Sequence, residues 1–163
     1  MKQFNVLDLF AGCGDLSHGL KKSGFSVPWA NELDEDAADT YRKSHSDTKM
    51  WNEDIHKFFQ RILDGEKGLP SKKQVDLIVG GPPCQGFSGY NRYRNISDPR
   101  NSLVESFLLF VEHLKPQYVL IENVPGMLQL NEGETPHLIL STLDKIGYNS
   151  ELAILQAGHY GVP

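Results

Sequence analysis

Asn5-Val-Leu-Asp-Leu-Phe-Ala-Gly-Cys-Gly14 is a short apolar run that breaks on glycines. A run of that length and boundary reads as a buried strand, and the glycines permit a sharp turn and close approach of a ligand to the backbone. Helical spacing follows over residues 14–23, where Leu16 and Leu20 share a face, Gly19 is expected to allow close packing and Gly24 stops the helix. The same alternation continues outward. Residues 27–31 read as a second strand, Asp34 caps a helix to about residue 44 with Ala38 and Tyr41 inward, and residues 49–51 form a short third strand. Asp54 caps a helix in which Ile55, Phe58, Phe59 and Ile62 fall at helical spacing. A Gly, Pro and Lys-rich loop over 64–74 leads to a fourth strand at 75–79. Residues 80–100 show no period, and an aperiodic stretch of that length in a compact domain is functional or disordered. Asn101 is expected to cap the next helix, with Val104, Phe107, Leu108, Val111 and Leu114 on one face, until Lys115-Pro116 ends it. Residues 118–122 read as a fifth strand, Thr135-Pro136 opens a helix that Gly147 closes, and residues 148–155 read as a sixth strand.

Strands alternating with helices imply an α/β, doubly wound, mostly parallel sheet, here as one domain over residues 1–163. No internal repeat, low-complexity tract or linker interrupts it. Ligands of such sheets sit at the carboxyl ends of the strands. Residues 10–14, Glu32, Asp54, residues 80–88 and Glu122 all fall at those ends, and that coincidence weighs more than any single motif.

The bulk properties are those of an ordinary globular protein. Its 163 residues suffice for one sizeable core, and no apolar run approaches the roughly 20 residues of a membrane span. The first residues lead straight into a strand and do not resemble a signal peptide. Cys13 and Cys84 form no CxxC pair and the six histidines are scattered, a pattern that argues against a zinc site or a disulfide framework. The net charge of −5 argues mildly against nucleic acid as a partner. Against that average, residues 90–94 interleave Arg92 and Arg94 with tyrosines, and Arg100 follows; such loops serve phosphates and bases, though most are solvated surface.

Three positions point to one kind of cofactor. The Gly12-Cys-Gly14 turn lacks the third glycine of a dinucleotide fingerprint, because residue 17 is Ser. Glu32 ends the second strand, where a carboxylate accepts ribose hydroxyls. Asp54 follows the third strand and suits an adenine amino group, with helix capping as its plain alternative. Together they suggest an adenosine cofactor without a diphosphate, a description S-adenosyl-L-methionine fits. Pro82-Pro-Cys84 holds a cysteine on a stiff loop, a setting that favours a nucleophile over an inert packed thiol. Glu122 ends the buried run 118–121 and is expected to be partly desolvated and suited to sharing a proton; its plain alternative is a strand-end acid paired with an arginine.

The set formed by residues 8–14, Glu32, Asp54, Gly81-Pro-Pro-Cys-Gln-Gly-Phe-Ser88 and Glu122-Asn-Val124 resembles the DNA cytosine-5 methyltransferase family in order and spacing. Residues 86–94 and 156–161 look most like the eukaryotic maintenance and chromomethylase types. A relative that methylates cytosine in transfer RNA usually differs just after Pro83-Cys84. The resemblance implies a class I, Rossmann-like, S-adenosyl-L-methionine-dependent fold. It also implies a cofactor site of Phe10, Ala11, Gly12, Cys13, Gly14, Leu16, Glu32, Asp54, Ile55 and Pro82, and no metal. It implies that Cys84, following Pro83, adds to cytosine C6, that Glu122 acts at N3 and the exocyclic amine, and that Asn123 orders the Pro-Cys loop. The base is flipped out of the duplex, with Gln85, Ser88, Arg92, Arg94 and Arg100 as nucleic-acid contacts. The sequence stops before the family's Gln-x-Arg-x-Arg segment, target-recognition region and C-terminal helix, and so before the seventh strand of the sheet. The expectations are therefore an inactive fragment or a split subunit with DNA and a complementary C-terminal polypeptide as partners, and a fifth strand with an open edge. A nuclear location is expected in a eukaryote and a cytoplasmic one otherwise. A catalytically inactive methyltransferase-like scaffold is the competing class.

Overall fold

A computed structural model describes residues 3–83, 103–128 and 134–162, and the chain divides into two units, residues 1–123 and 124–163. In the first unit the elements are β1 (Asn5–Leu9), α1 (Asp15–Lys22), β2 (Ser26–Glu32), α2 (Glu35–Ser44), β3 (Lys49–Asn52), α3 (Ile55–Leu63), β4 (Leu77–Gly80), α4 (Leu103–Leu114) and β5 (Tyr118–Ile121). All pairings are parallel and the order is β3-β2-β1-β4-β5. The direction of winding therefore reverses at β1, the place where open α/β sheets form a ligand crevice.

Alternation along β1 divides the core. Val6 joins Val27, Leu77 and Val79 beneath Leu16 and Leu20 of α1, whereas the α3 ring of Phe58 lies 5.3 Å from Trp51 and 5.8 Å from Phe110 of α4. Val6, Leu7, Leu9, Ile78 and Val79 are fully buried, each side chain contributing roughly 1.5–3 kcal/mol of transfer free energy. Asn5 pairs with Ser26 but Leu7 pairs with Trp29, so Val27 and Pro28 together oppose Val6. This bulge accommodates a proline, which has no N–H for the ladder, inside an interior strand. Beyond it, Asp8 pairs with Ala30.

Helix ends follow the local chemistry. The Asp34 side chain accepts from Ala37 N, and Asp54 accepts from His56 N and Lys57 N. After α1, Gly24 N donates to Lys21 O and Phe25 N to Leu20 O, with Gly24 at φ 90°. That paired closure needs a left-handed residue, which glycine supplies. Gly19, expected at a close contact, is instead exposed with open space around it. The cap expected at Asn101 lies outside the described residues.

The second unit holds α5 (Glu134–Lys145), which buries Ile139, Thr142 and Leu143 and ends in the same paired closure at Gly147. A 3-10 turn spans Ala157–Tyr160. Residues 148–155 do not form the expected sixth strand, and residues 149–162 are exposed. A strand exists through its ladder, and among the described residues no strand pairs with this segment. β5 is the outer strand of the described sheet, with Tyr118 and Leu120 exposed. No helix among the described residues is long and apolar enough to cross a membrane.

Candidate functional site

The chain leaves β1 through a tight turn. Phe10, Gly12 and Gly14 take φ values of 56°, 54° and 99°; a left-handed phenylalanine is uncommon and marks stored backbone strain. Ala11 N donates to Asn31 O, and Gly14, the N-cap residue of α1, donates to Ala11 O. Glu32 secures the turn from β2: Gly12 N donates to its Oε2 at 2.8 Å, while Leu33 N and Asp34 N donate to Oε1 at 2.8 and 2.9 Å. Both oxygens thus hold backbone, Oε1 through both of its lone pairs, and the remaining lone pair of Oε2 is what a ribose could use.

Two asparagines brace the neighbouring strand ends. Asn31 Nδ2, buried, donates to Trp51 O at 3.0 Å and Glu53 O at 2.9 Å. Asn52 Nδ2 donates back to Glu32 O at 3.0 Å and Leu33 O at 2.9 Å. The reciprocal amides fix the loop that bears Asp54 beside the loop that bears Glu32. Asp54 uses Oδ1 to cap α3, so its plain alternative role is real.

A cleft of about 560 Å³ opens between these loops, lined by Phe10, Glu32, Asp54, Ile55, Gly81 and Pro83, with Asn31 and Leu103 among the remaining walls. Its size lies within the range of small-molecule sites. At its β4 side Glu122 N donates to Gly80 O at 3.0 Å, and the Glu122 Oε2 stands 3.0 Å from where a Cβ on Gly81 would be. Glycine at 81 therefore leaves room for the carboxylate. Glu122 is exposed, contrary to the desolvation expected of it, because among the described residues β5 has a neighbouring strand on one side only. Asn123 Nδ2 donates to Pro82 O at 2.8 Å, tying the β5 end to the loop that leads into Cys84.

Beneath the turn lies a buried polar chain. The Ser17 hydroxyl donates to Asp8 Oδ2 at 2.6 Å and lies 2.7 Å from the Tyr41 hydroxyl. Asp8 Oδ1 has no partner among the described residues. Burial, only partly opposed by the Ser17 bond and reinforced by the Glu32 charge, pushes the Asp8 carboxyl up to about 7. His45 Nε2 lies 3.0 Å from Gly14 O.

Of the expected cofactor residues, Phe10, Glu32, Asp54 and Ile55 line the cleft. Gly12 meets it through Glu32, Cys13 is exposed, and Ala11 and Leu16 instead pack in the core beside Tyr41 and Val27 respectively. Pro82 is buried. Cys84, Gln85, Ser88, Arg92, Arg94 and Arg100 lie outside the described residues. Asn31, Asn52, Ser17, Tyr41 and His45 were not expected at the site; for the asparagines the readable signal was an amide directly before an acid at a strand end. Among the described residues no three His, Cys, Asp or Glu side chains group as metal ligands.

Comparison with known proteins gives the arrangement a family. The chain is 40% identical over 170 residues to the sea urchin (Paracentrotus lividus) DNA (cytosine-5)-methyltransferase PliMCI, covering 99% of this chain and 10% of that protein. It is 39% identical to DNA (cytosine-5)-methyltransferase 1 of Gallus gallus (99% and 11%) and 34% identical to DNA (cytosine-5)-methyltransferase 3 of Arabidopsis thaliana (99% and 14%). These animal and plant relatives agree with the eukaryotic resemblance, and the chain spans only about a tenth of their length. Among solved structures, a prophage-encoded E. coli protein assigned as a DNA modification methyltransferase superposes with TM-score 0.67 at 32% identity, covering 88% of this chain and 38% of that one. The S. pombe Dnmt2 methyltransferase shares the fold with TM-score 0.67 at 23% identity, covering 99% and 45%. The sheet is thus the Rossmann-like one of class I methyltransferases. The family described as C-5 cytosine-specific DNA methylase matches residues 4–163, and the chain belongs to that enzyme family.

Proposed function

We propose that this chain carries the cofactor-binding and nucleophile-bearing part of a DNA cytosine-5 methyltransferase, acting on a flipped cytosine with S-adenosyl-L-methionine as donor. The observation that carries the reading is convergence: Phe10, Glu32 and Asp54 share one cleft with Gly81 and Pro83, the residues that lead into Cys84. The cleft's volume, the carboxylates of Glu32 and Asp54 on its wall and its turn of positive-φ residues suit an adenosine with a small charged tail. Bound there, the cofactor supplies an electrophilic methyl group.

The chain's own residues do the remaining work. Glu32 presents the unused lone pair of Oε2 to the ribose, and Asp54 faces the adenine amine. The Cys84 thiolate adds to cytosine C6, which makes C5 nucleophilic toward the methyl group; loss of the C5 proton then expels Cys84. Glu122, beside Gly81, holds N3 and the exocyclic amine, while Asn123 steadies the Pro-Cys loop through Pro82 O. Gln85, Ser88, Arg92, Arg94 and Arg100 serve the extruded nucleotide and its phosphates. A DNA substrate in a eukaryote sets the protein in the nucleus.

Cys84→Ser in the complete protein tests the reading. Duplex DNA carrying 5-fluorocytosine should trap the unsubstituted protein covalently and leave the variant free, while S-adenosyl-L-methionine binds both. An adduct that persists in the variant rules out Cys84 as the nucleophile.

A further inference from the structure

Gly14 is packed by side chains that lie nowhere in the cleft. A Cβ built there would stand 2.5 Å from His45 Cδ2 and Nε2 and 2.8 Å from Tyr41 Cδ2. His45 follows the last turn of α2, is 4% exposed, and packs against Tyr41 with ring centroids 4.6 Å apart and the rings tilted by 48°. Its Nε2 reaches the Gly14 carbonyl at 3.0 Å, and that carbonyl also accepts from His18 N at 2.8 Å. The Tyr41 hydroxyl continues through Ser17 to Asp8. One buried assembly therefore grips the glycine turn from below, on the side away from the cleft.

We propose that His45 is a positioning residue for the glycine turn: its neutral ring, donating from Nε2 to the Gly14 carbonyl, holds the turn shut, and a second proton, which leaves that donor in place but charges a buried ring, favours the loosened turn in which the ring meets water. The proposal deepens the cofactor reading and rests on it for its consequence, weaker S-adenosyl-L-methionine binding in mild acid. The ring's surroundings set the direction. Burial lowers His45 below the ordinary 6.5, Lys21 lowers it further, the Gly14 carbonyl and Asp47 oppose this, and His18 adds a smaller lowering. Lys21 is itself held by Asp47 at 2.5 Å and Thr48 at 2.8 Å, so its charge stays beside the ring. A histidine depressed in the fold stabilises above its unfolded value and loses that contribution as pH falls. The loosening therefore begins below about pH 6.5. Asp8, at the far end of the chain, titrates near 7 with the opposite sign, which a substitution confined to His45 separates.

Glutamine places an amide donor near the Nε2 position and does not titrate, whereas leucine keeps volume and loses the donor. Deuterium exchange of a peptide covering residues 11–20 in the cofactor-free chain, corrected for intrinsic rates, reads the turn directly. The unsubstituted chain should lose about fivefold protection from pH 7 to 5.5, the linkage expected when the ring takes up a proton more readily in the loosened turn than in the closed one. H45Q should keep its protection at both values, and H45L should lose it at both. An acid loss shared by H45Q, full protection in H45L, or a parallel loss in a peptide covering α3 overturns the proposal. Calorimetric titration with S-adenosyl-L-methionine distinguishes the two readings. No binding at any pH alongside the expected exchange pattern defeats the cofactor reading and leaves the clasp, whereas binding with the wrong exchange pattern defeats the clasp alone.

Discussion

Asp8→Asn isolates one buried carboxyl and gives it a measurable weight. Asp8 is 1% exposed, one of its oxygens accepts from Ser17 and the other has no partner among the described residues. Burial raises its pKa from 3.8 to about 7. Between those values the folded protein keeps a proton that the unfolded chain has released. Stability from this group is therefore complete below about pH 3.8 and is lost as pH rises through 7. Inside the window each pH unit removes about 1.4 kcal/mol, so from pH 5 to 7 the loss is on the order of 2 kcal/mol after rounding at the upper end. Asparagine retains an oxygen for Ser17 and does not ionise. Urea unfolding of both proteins at pH 5, 6 and 7 cancels the titrations they share, including that of His45, which runs the other way. The stability of the variant relative to the unsubstituted chain should rise by about 2 kcal/mol across that range. A difference constant to within about 0.5 kcal/mol would refute a protonated Asp8.

Glu32→Gln removes acceptor capacity from a carboxylate that holds three backbone N–H groups; calorimetry should show S-adenosyl-L-methionine affinity weakened by about 1.5–3 kcal/mol, and unchanged affinity would free Glu32 from the site. Asp54→Ala should cost about 1 kcal/mol of stability in urea through the lost α3 cap, in addition to any loss of cofactor. Phe58→Ala, at a fully buried ring between Trp51 and Phe110, should cost about 3–5 kcal/mol. An effect below about 1 kcal/mol on denaturation would mean that the α3–α4 side of the core repacks freely.

Elements with their own local signal were readable without coordinates. Asp34 and Asp54 announce helix starts, Gly24 and Gly147 announce stops, and the apolar runs give five strands to within a residue or two. The sixth strand failed because residues 148–155 carry the right side chains but join no ladder among the described residues, and pairing is not a local property. At the site, acids and glycines at strand ends marked the crevice. Glu122 was misjudged because its burial depends on which strand sits at the sheet edge. The side chains of Ala11 and Leu16 pack inward because a turn residue and a core residue can alternate within one motif. His45 and Tyr41 carried no motif at all; their role arises only when α2 folds back beneath the turn.

The reversal of winding at β1 has a kinetic meaning. On one side β1 pairs with β2, the next strand in sequence, so that Asn5 meets Ser26 across a single helix. On the other it must wait for β4, whose entry is fastened by Asn5 N donating to Asp76 Oδ2, 71 residues away, at 2.9 Å. Closing the longer loop costs more chain entropy before any contact repays it. The β1–β2–β3 half should therefore nucleate and the β4–β5 half condense on it, with pulse-labelled amides protected in that order. Substitutions under α1 would then slow folding, while those along β5 would chiefly hasten unfolding.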